Sequence, residues 1–140
     1  MKTPKHLWIV GILYMLWSTM GVMDFIMTHT NNQTWLEGFP EELIAFYQGF
    51  PIWVDVIWCI SISGGLIGAL LVLMRKSLAV PVLLLATVTY VLATAHNYGI
   101  AEGFEIAGET GTLIFTAAIF VASLGMYFYA KAMRAAGVLR

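Results

Sequence analysis

Four long apolar runs constrain this chain more than any other feature: about Leu7 to Met27, Ile52 to Met74, Ala79 to His96 and Ile106 to Ala130. A bilayer core is crossed by roughly 20 consecutive apolar residues in helix. In lipid the backbone must satisfy its own polar groups, so only helices and closed barrels span. A transmembrane barrel would show alternating segments of about ten residues, and that pattern is absent. The third run is slightly short, and its Pro81 falls in the first turn, where proline is tolerated. Composition agrees: charged residues are 11% of the chain, against about 25% in soluble domains. The sequence therefore predicts an all-α integral membrane protein, a single domain over residues 1–140 built as a four-transmembrane-helix antiparallel bundle. The opening "MKTPKH" is similar to the basic end of a signal peptide. The apolar run behind it is too long and lacks a small-residue cleavage site, so a retained helix is expected.

Charge gives the orientation. Lys2 and Lys5 precede the first run, Arg75 and Lys76 separate the second from the third, and Lys131, Arg134 and Arg140 close the chain. Four spans place all these segments on one face, which the positive-inside rule makes cytoplasmic. The acidic residues Asp24, Glu37, Glu41, Glu42, Asp55, Glu102, Glu105 and Glu109 fall at the opposite ends. A bacterial inner-membrane protein with both termini cytoplasmic is the expectation.

The tight "RKSLA" turn predicts a hairpin of the second and third helices. The first outer loop is long for a bundle. Within it "PEELIAFYQ" places Pro40 at a helix N1 position and Glu41 and Glu42 in the first turn, so a short interfacial helix is expected there. Trp35, Trp53 and Tyr98 fit an outer aromatic belt. "SISGGLIGA" in the second run carries Ser61, Gly64, Gly65, Gly68 and Ala69, a small-residue face suited to close helix packing. Gly11, Ser18 and Gly21 in the first run and Ala118, Ala122 and Gly125 in the fourth offer similar surfaces. Such faces pack within a protomer or between copies.

The candidate site lies on the outer face. Asp24 is about one turn from the outer end of the first helix, and Asp55 about one turn into the second. A carboxylate at that depth must be paired, wet or protonated. The dipole at the end of the first helix disfavours Asp24 as an anion. That face holds no lysine or arginine, so His29 and His96 are its only candidate cations, with His29 a possible ligand or pH sensor. His96 sits where a helix C-terminus favours imidazolium. It is expected to pair with Asp24 or Asp55, either as a structural bond or as part of a shared ligand site. Asn97 and Glu105 complete the candidate set of solute- or ion-binding residues on the hinge "HNYGIAEGFE". Glu102 and Glu105 read as a solvated acidic entrance.

Several chemistries have no sequence support. The histidines lack HxxxH, HExxH or ExxH spacing, so no metal is expected, and haem would want histidines deep in facing spans. No nucleophile motif, phosphate loop or dinucleotide fingerprint appears, and no catalytic residue or cofactor is expected. A net charge of −1 without a basic patch gives no footprint for nucleic acid. Cys59 is alone and reads as a buried apolar residue.

The segment "FPIWVDVIWCISISGGLIGALLVLMRKSLAV" and the hairpin after it resemble the DoxX-like group of small bacterial membrane proteins. The shared features are an aromatic-Pro-x-Trp entry, a mid-helix glycine pair, a leucine-rich exit and a basic turn. "MKTPKHLWIVGILYMLW" is similar to small four-span proteins loosely labelled sugar transporters. The resemblance implies four membrane helices and, for some members, association with redox complexes. Its pattern often has a glutamate about one turn before the glycine pair, where this chain has Ser61.

The acidic vestibule predicts a small carrier or channel-like component for a neutral or cationic small solute, since such an entrance concentrates cations. Four helices are too few for a roomy pathway, so a homo-oligomer or larger membrane complex is implied. The alternative is an accessory or assembly subunit of a larger complex, redox complexes included. A third is a membrane enzyme acting on lipid or quinone.

Overall fold

In a computed structural model, the structure describes residues 4–99 and 110–140. The described residues form helices and turns without a strand: α1 Lys5–His29, α2 Gln33–Leu36, α3 Glu41–Gln48, α4 Ile52–Leu73, α5 Ala79–Gly99 and α6 Thr110–Ala135. α1, α4, α5 and the Leu113–Ala135 part of α6 are each long and apolar enough to cross a membrane. α1 extends past its expected run by two residues at each end, α5 by three residues to Gly99 and α6 by five residues to Ala135, while α4 stops at Leu73, one residue short of Met74. The expected start of the last helix at Ile106 lies outside the described residues.

Local chemistry sets most helix boundaries. Pro4, Pro40 and Pro51 hold the N-cap positions of α1, α3 and α4 with extended backbone, ψ 142°, 140° and 149°. Proline has no N–H to leave unsatisfied, and its fixed φ suits a helix entrance. Pro40 thus stands one residue earlier than the N1 place expected of it, because its ψ is not helical. Three helices end in the same reverse turn, with a left-handed residue just past the cap: Asn31 (φ 54°), Arg75 (φ 57°) and Gly137 (φ 79°). At each, two backbone bonds close the end: Asn32 N–H to Met27 and Asn31 N–H to Thr28, Lys76 to Leu71 and Arg75 to Val72, Val138 to Met133 and Gly137 to Arg134. These bonds satisfy carbonyls that the helix would otherwise leave unpaired.

α4 is the central helix. Its small residues divide between two neighbours. Gly64 and Gly68 face α5, where a Cβ on Gly64 would lie 3.1 Å from the Ala86 Cβ and one on Gly68 2.7 Å from the Leu83 Cγ. The Ser61 hydroxyl donates to the Ala86 carbonyl at 3.0 Å on the same seam. Gly65 faces α1 beside Ser18 and Tyr14, while Gly11 lies under Leu73 and Gly21 beside Ile62. The glycines of the "SGGLIG" stretch thus let two backbones approach α4 at once. α6 packs on α5 but gains little from its own small residues: Ala118 is exposed and a Cβ on Gly125 would meet nothing within 4 Å. Long side chains join α6 to α1, with His6 Nδ1 2.6 Å from the Tyr129 hydroxyl and the Tyr14 hydroxyl 3.5 Å from Ser123 Oγ.

The densest core lies at the basic end. Leu7, Val72, Ala79, Val80, Leu83, Met126 and Ala130 pack there around Val138 and Leu139, which follow α6. Gly137 turns the chain back over the helix ends. Ser77 N–H then donates to the Arg140 carbonyl and Arg140 N–H to the Arg75 carbonyl, both at 3.0 Å. Residues 138–140 therefore fill the end of the helix cluster and are tied to the α4–α5 turn.

Candidate functional site

At the other end, α1 and α4 bring two titratable side chains together. His29 Nε2 lies 3.1 Å from Asp55 Oδ1, with about a quarter of each side chain exposed (26% and 25%). His29 occupies the last turn of α1 and Asp55 the first turn of α4. A cation at a helix C-terminus and an anion at an N-terminus both match the helix dipoles. His29 Nδ1 is 2.9 Å from the Phe25 carbonyl. A carbonyl only accepts, so Nδ1 carries a hydrogen and donates. Nε2 faces the Asp55 carboxylate, and the contact is an ion pair when the ring is protonated.

Aromatic rings flank His29. The Phe25 and His29 rings stack, centroids 4.0 Å apart and planes 26° from parallel. Trp58 meets Phe25 at 4.9 Å and 87° and His29 at 5.3 Å and 63°. Phe25 and His29 are four apart on α1 and so share a face; Asp55 and Trp58 are three apart on α4. Tyr47 of α3 and Phe50 extend the cluster from Trp58, at 5.9 and 6.3 Å. α3 is held over the end of α1 by Gln48, whose Nε2 donates to the Thr28 carbonyl at 2.9 Å and to Asn31 Oδ1 at 3.3 Å. The Tyr47 phenol is pushed up to about 12, chiefly by burial, then by Tyr98 and the Asp24 carboxylate. It therefore stays neutral across physiological pH.

Asp24 is placed separately. Its Oδ1 accepts a 3.0 Å bond from the Trp35 indole N–H. α2 supplies that indole, and Asn32 Oδ1 caps α2 by accepting from Trp35 N–H at 3.0 Å. A neutral donor thus answers the helix end that disfavours Asp24.

His96 meets neither carboxylate, and the pairing expected for it belongs to His29 with Asp55. The cause is the angular step of a helix, about 100° per residue. Trp53 and Asp55 point to opposite flanks of α4, Trp53 toward α5 and Asp55 toward α1. His96 is 6% exposed and lies edge-on to Trp53 at 5.1 Å and to Phe50 at 5.8 Å. Its Nδ1 and the neighbouring Asn97 Oδ1 are buried without a hydrogen-bond partner among the described residues. Glu105, with Glu102 and Glu109, lies outside the described residues. Cys59, expected to be buried, is exposed on α4.

Sequence reasoning named His29, Asp55, Asp24 and His96 but not the rings that join them. The i, i+4 spacing of Phe25 and His29 and the i, i+3 spacing of Asp55 and Trp58 were the available signals. Among the described residues no group of three His, Cys, Asp or Glu side chains could hold a metal ion. A scan of family models, a search of curated proteins and a search of solved structures each found no match to the chain.

Proposed function

We propose that this chain is a bacterial inner-membrane protein that binds a small organic cation at its outer end, as a carrier or as a component of one. In this reading the four spans form an antiparallel bundle, both termini are cytoplasmic, and α3 lies at the outer interface. The basic segments support that orientation, and so does the register of α1 on α4, in which Gly11 meets Leu73 and His29 meets Asp55. The observation that carries the function is the Asp55 carboxylate facing a His29 ring that stacks on Phe25 and meets Trp58 edge-on. A carboxylate supplies charge, ring faces attract cations, and their combination selects organic cations over hydrated inorganic ones. The acidic residues of that end would concentrate cations there.

The test is isothermal titration of the detergent-purified protein with guanidinium and tetraethylammonium, against acetate as the anionic control, paired with uptake into proteoliposomes. Cations are expected to bind and acetate to give no heat. Asp55→Asn should weaken cation binding about tenfold or more, the equivalent of about 1.4 kcal/mol. Equal affinity of Asp55→Asn and the parent protein would overturn the proposal.

A second reading, an accessory subunit of a larger membrane complex, is favoured by two observations. Val138, Leu139 and Leu7 fill the basic end, so one protomer offers a binding position without an open path. α1 leaves Ile9, Leu13, Leu16 and Met20 at 57–64% exposure. Purification in mild detergent followed by mass spectrometry separates the two, since the subunit reading requires a stoichiometric partner of different sequence.

A further inference from the structure

We propose that the His29 ring is a built-in stand-in for the solute, and that the solute class is flat cations bearing N–H groups: guanidinium, amidinium and imidazolium types. The inference rests on the cation-binding reading and deepens it. The imidazole occupies a slot built for a planar, two-donor group. One face is covered by Phe25 in a near-parallel stack, 4.0 Å and 26°, and Trp58 closes the side at 63°. The two ring nitrogens address two acceptors in different directions, Asp55 Oδ1 at 3.1 Å and the Phe25 carbonyl at 2.9 Å. Phe25 lies four residues before the end of α1, so its carbonyl points toward the helix C-terminus.

A planar cation with two N–H donors reproduces each of these contacts when His29 turns aside. A guanidinium stacks on aromatic faces and forks toward carboxylate oxygens. A quaternary ammonium has no N–H for either acceptor and no flat face to lie on the Phe25 ring. The displacement is feasible because the pair is partly exposed and the ring belongs to the terminal residue of α1. A partly exposed ion pair is held weakly enough for a competitor. His29 thus occupies the slot and competes with the solute for Asp55.

Binding of methylguanidinium and of tetramethylammonium to the full-length protein in detergent tests this, with His29→Ala, His29→Asn and Asp55→Asn as variants and circular dichroism confirming the fold. Methylguanidinium is expected to bind the parent protein more tightly than tetramethylammonium. Removing the competing ring in His29→Ala should tighten methylguanidinium about tenfold, the size expected when an exposed ion pair and one ring stack no longer compete. Tetramethylammonium should change less than about twofold, within the weak-pair range. His29→Asn is expected to fall between. Should His29→Ala not fold, the parent protein with labelled histidine decides the matter. Methylguanidinium should move the His29 ring resonances away from the shift imposed by the Phe25 ring, and tetramethylammonium should not. Unchanged or weaker methylguanidinium binding in His29→Ala, equal affinity for both cations, or static His29 resonances would each overturn the inference. If neither cation binds, or binding survives Asp55→Asn, the cation-binding reading itself fails. Asp55-dependent binding without preference for the flat cation sinks only the stand-in.

Discussion

Gly68→Ala should destabilise the protein although alanine is the better helix former. The added Cβ would lie 2.7 Å from the Leu83 Cγ. Leu83 is 1% exposed and walled by Val72, Ala79 and Val80, so the whole side chain must shift within a filled core. Overpacking of this kind costs about 1–3 kcal/mol, and the upper end applies where the neighbour has no free rotamer. Against it stands a gain of about 1 kcal/mol in helix propensity. The net expectation is a loss of about 2 kcal/mol. Gly65→Ala, three residues away on the same helix, supplies the control. Its Cβ would lie 3.4 Å from Ser18 Oγ and 3.6 Å from the Tyr14 hydroxyl, ordinary contact distances. It should be neutral or stabilise by up to about 1 kcal/mol. Thermal unfolding in dodecylmaltoside, followed by circular dichroism, ranks the variants. A Leu83→Val second change should restore part of the Gly68→Ala loss, a coupling of more than about 0.5 kcal/mol between touching residues. The reasoning is refuted if Gly65→Ala loses as much as Gly68→Ala, or if Gly68→Ala and Leu83→Val are additive.

Arg75 holds a left-handed conformation that costs a residue with a Cβ about 1 kcal/mol, so Arg75→Gly should melt at a higher temperature unless its side-chain interactions outweigh the backbone relief. Leu139→Ala removes a side chain 3% exposed from the basic-end core and should cost about 2 kcal/mol or more in the same assay. Tyr47 should appear as a late step near pH 12 in ultraviolet titration, absent from Tyr47→Phe. Its folded value lies above the unfolded one of 10.0. Its contribution to stability is therefore fully present below pH 10 and lost as the pH rises through 12.

The spans were legible because lipid imposes one rule on a long apolar run, and each run had to become a helix. Boundaries were legible where the chemistry is written in one residue. Proline marks the entrance of α3, read from Pro40; the entrance of α1 after Pro4 and the exit of α6 before Gly137 were not read, the runs having been bounded at Leu7 and Ala130. The exit of α4 at Arg75 carried no such signal, since nothing about an arginine announces a positive φ. The fold of residues 138–140 over the basic end was also hidden. "GVLR" after a helix reads as a short tail until the buried positions of Val138 and Leu139 show that the α4–α5 turn gives it a place to dock.

The site was legible in its residues and misread in its pairs. Hydrophobic periodicity tells which residues share a face, but not which helix that face will meet. The tight turn near Arg75 places His96 close to the level of Asp55, which made their pairing the natural expectation. Level is not contact, because two residues further along a helix turn a side chain through about 200°. Trp53 consequently takes the His96 side of α4 and Asp55 the α1 side. The true partner follows from the glycines. Gly11 lies under Leu73 and Gly21 beside Ile62, which fixes how α1 slides on α4. Eighteen residues on from Gly11 is His29, and eighteen residues back from Leu73 is Asp55. Packing at the basic end thus dictates the ion pair at the acidic end. A change that shifted α1 on α4, such as a bulky residue at Gly11, should break the His29–Asp55 contact from about five helical turns away, and it would show as loss of Asp55-dependent cation binding in a protein that still spans the membrane.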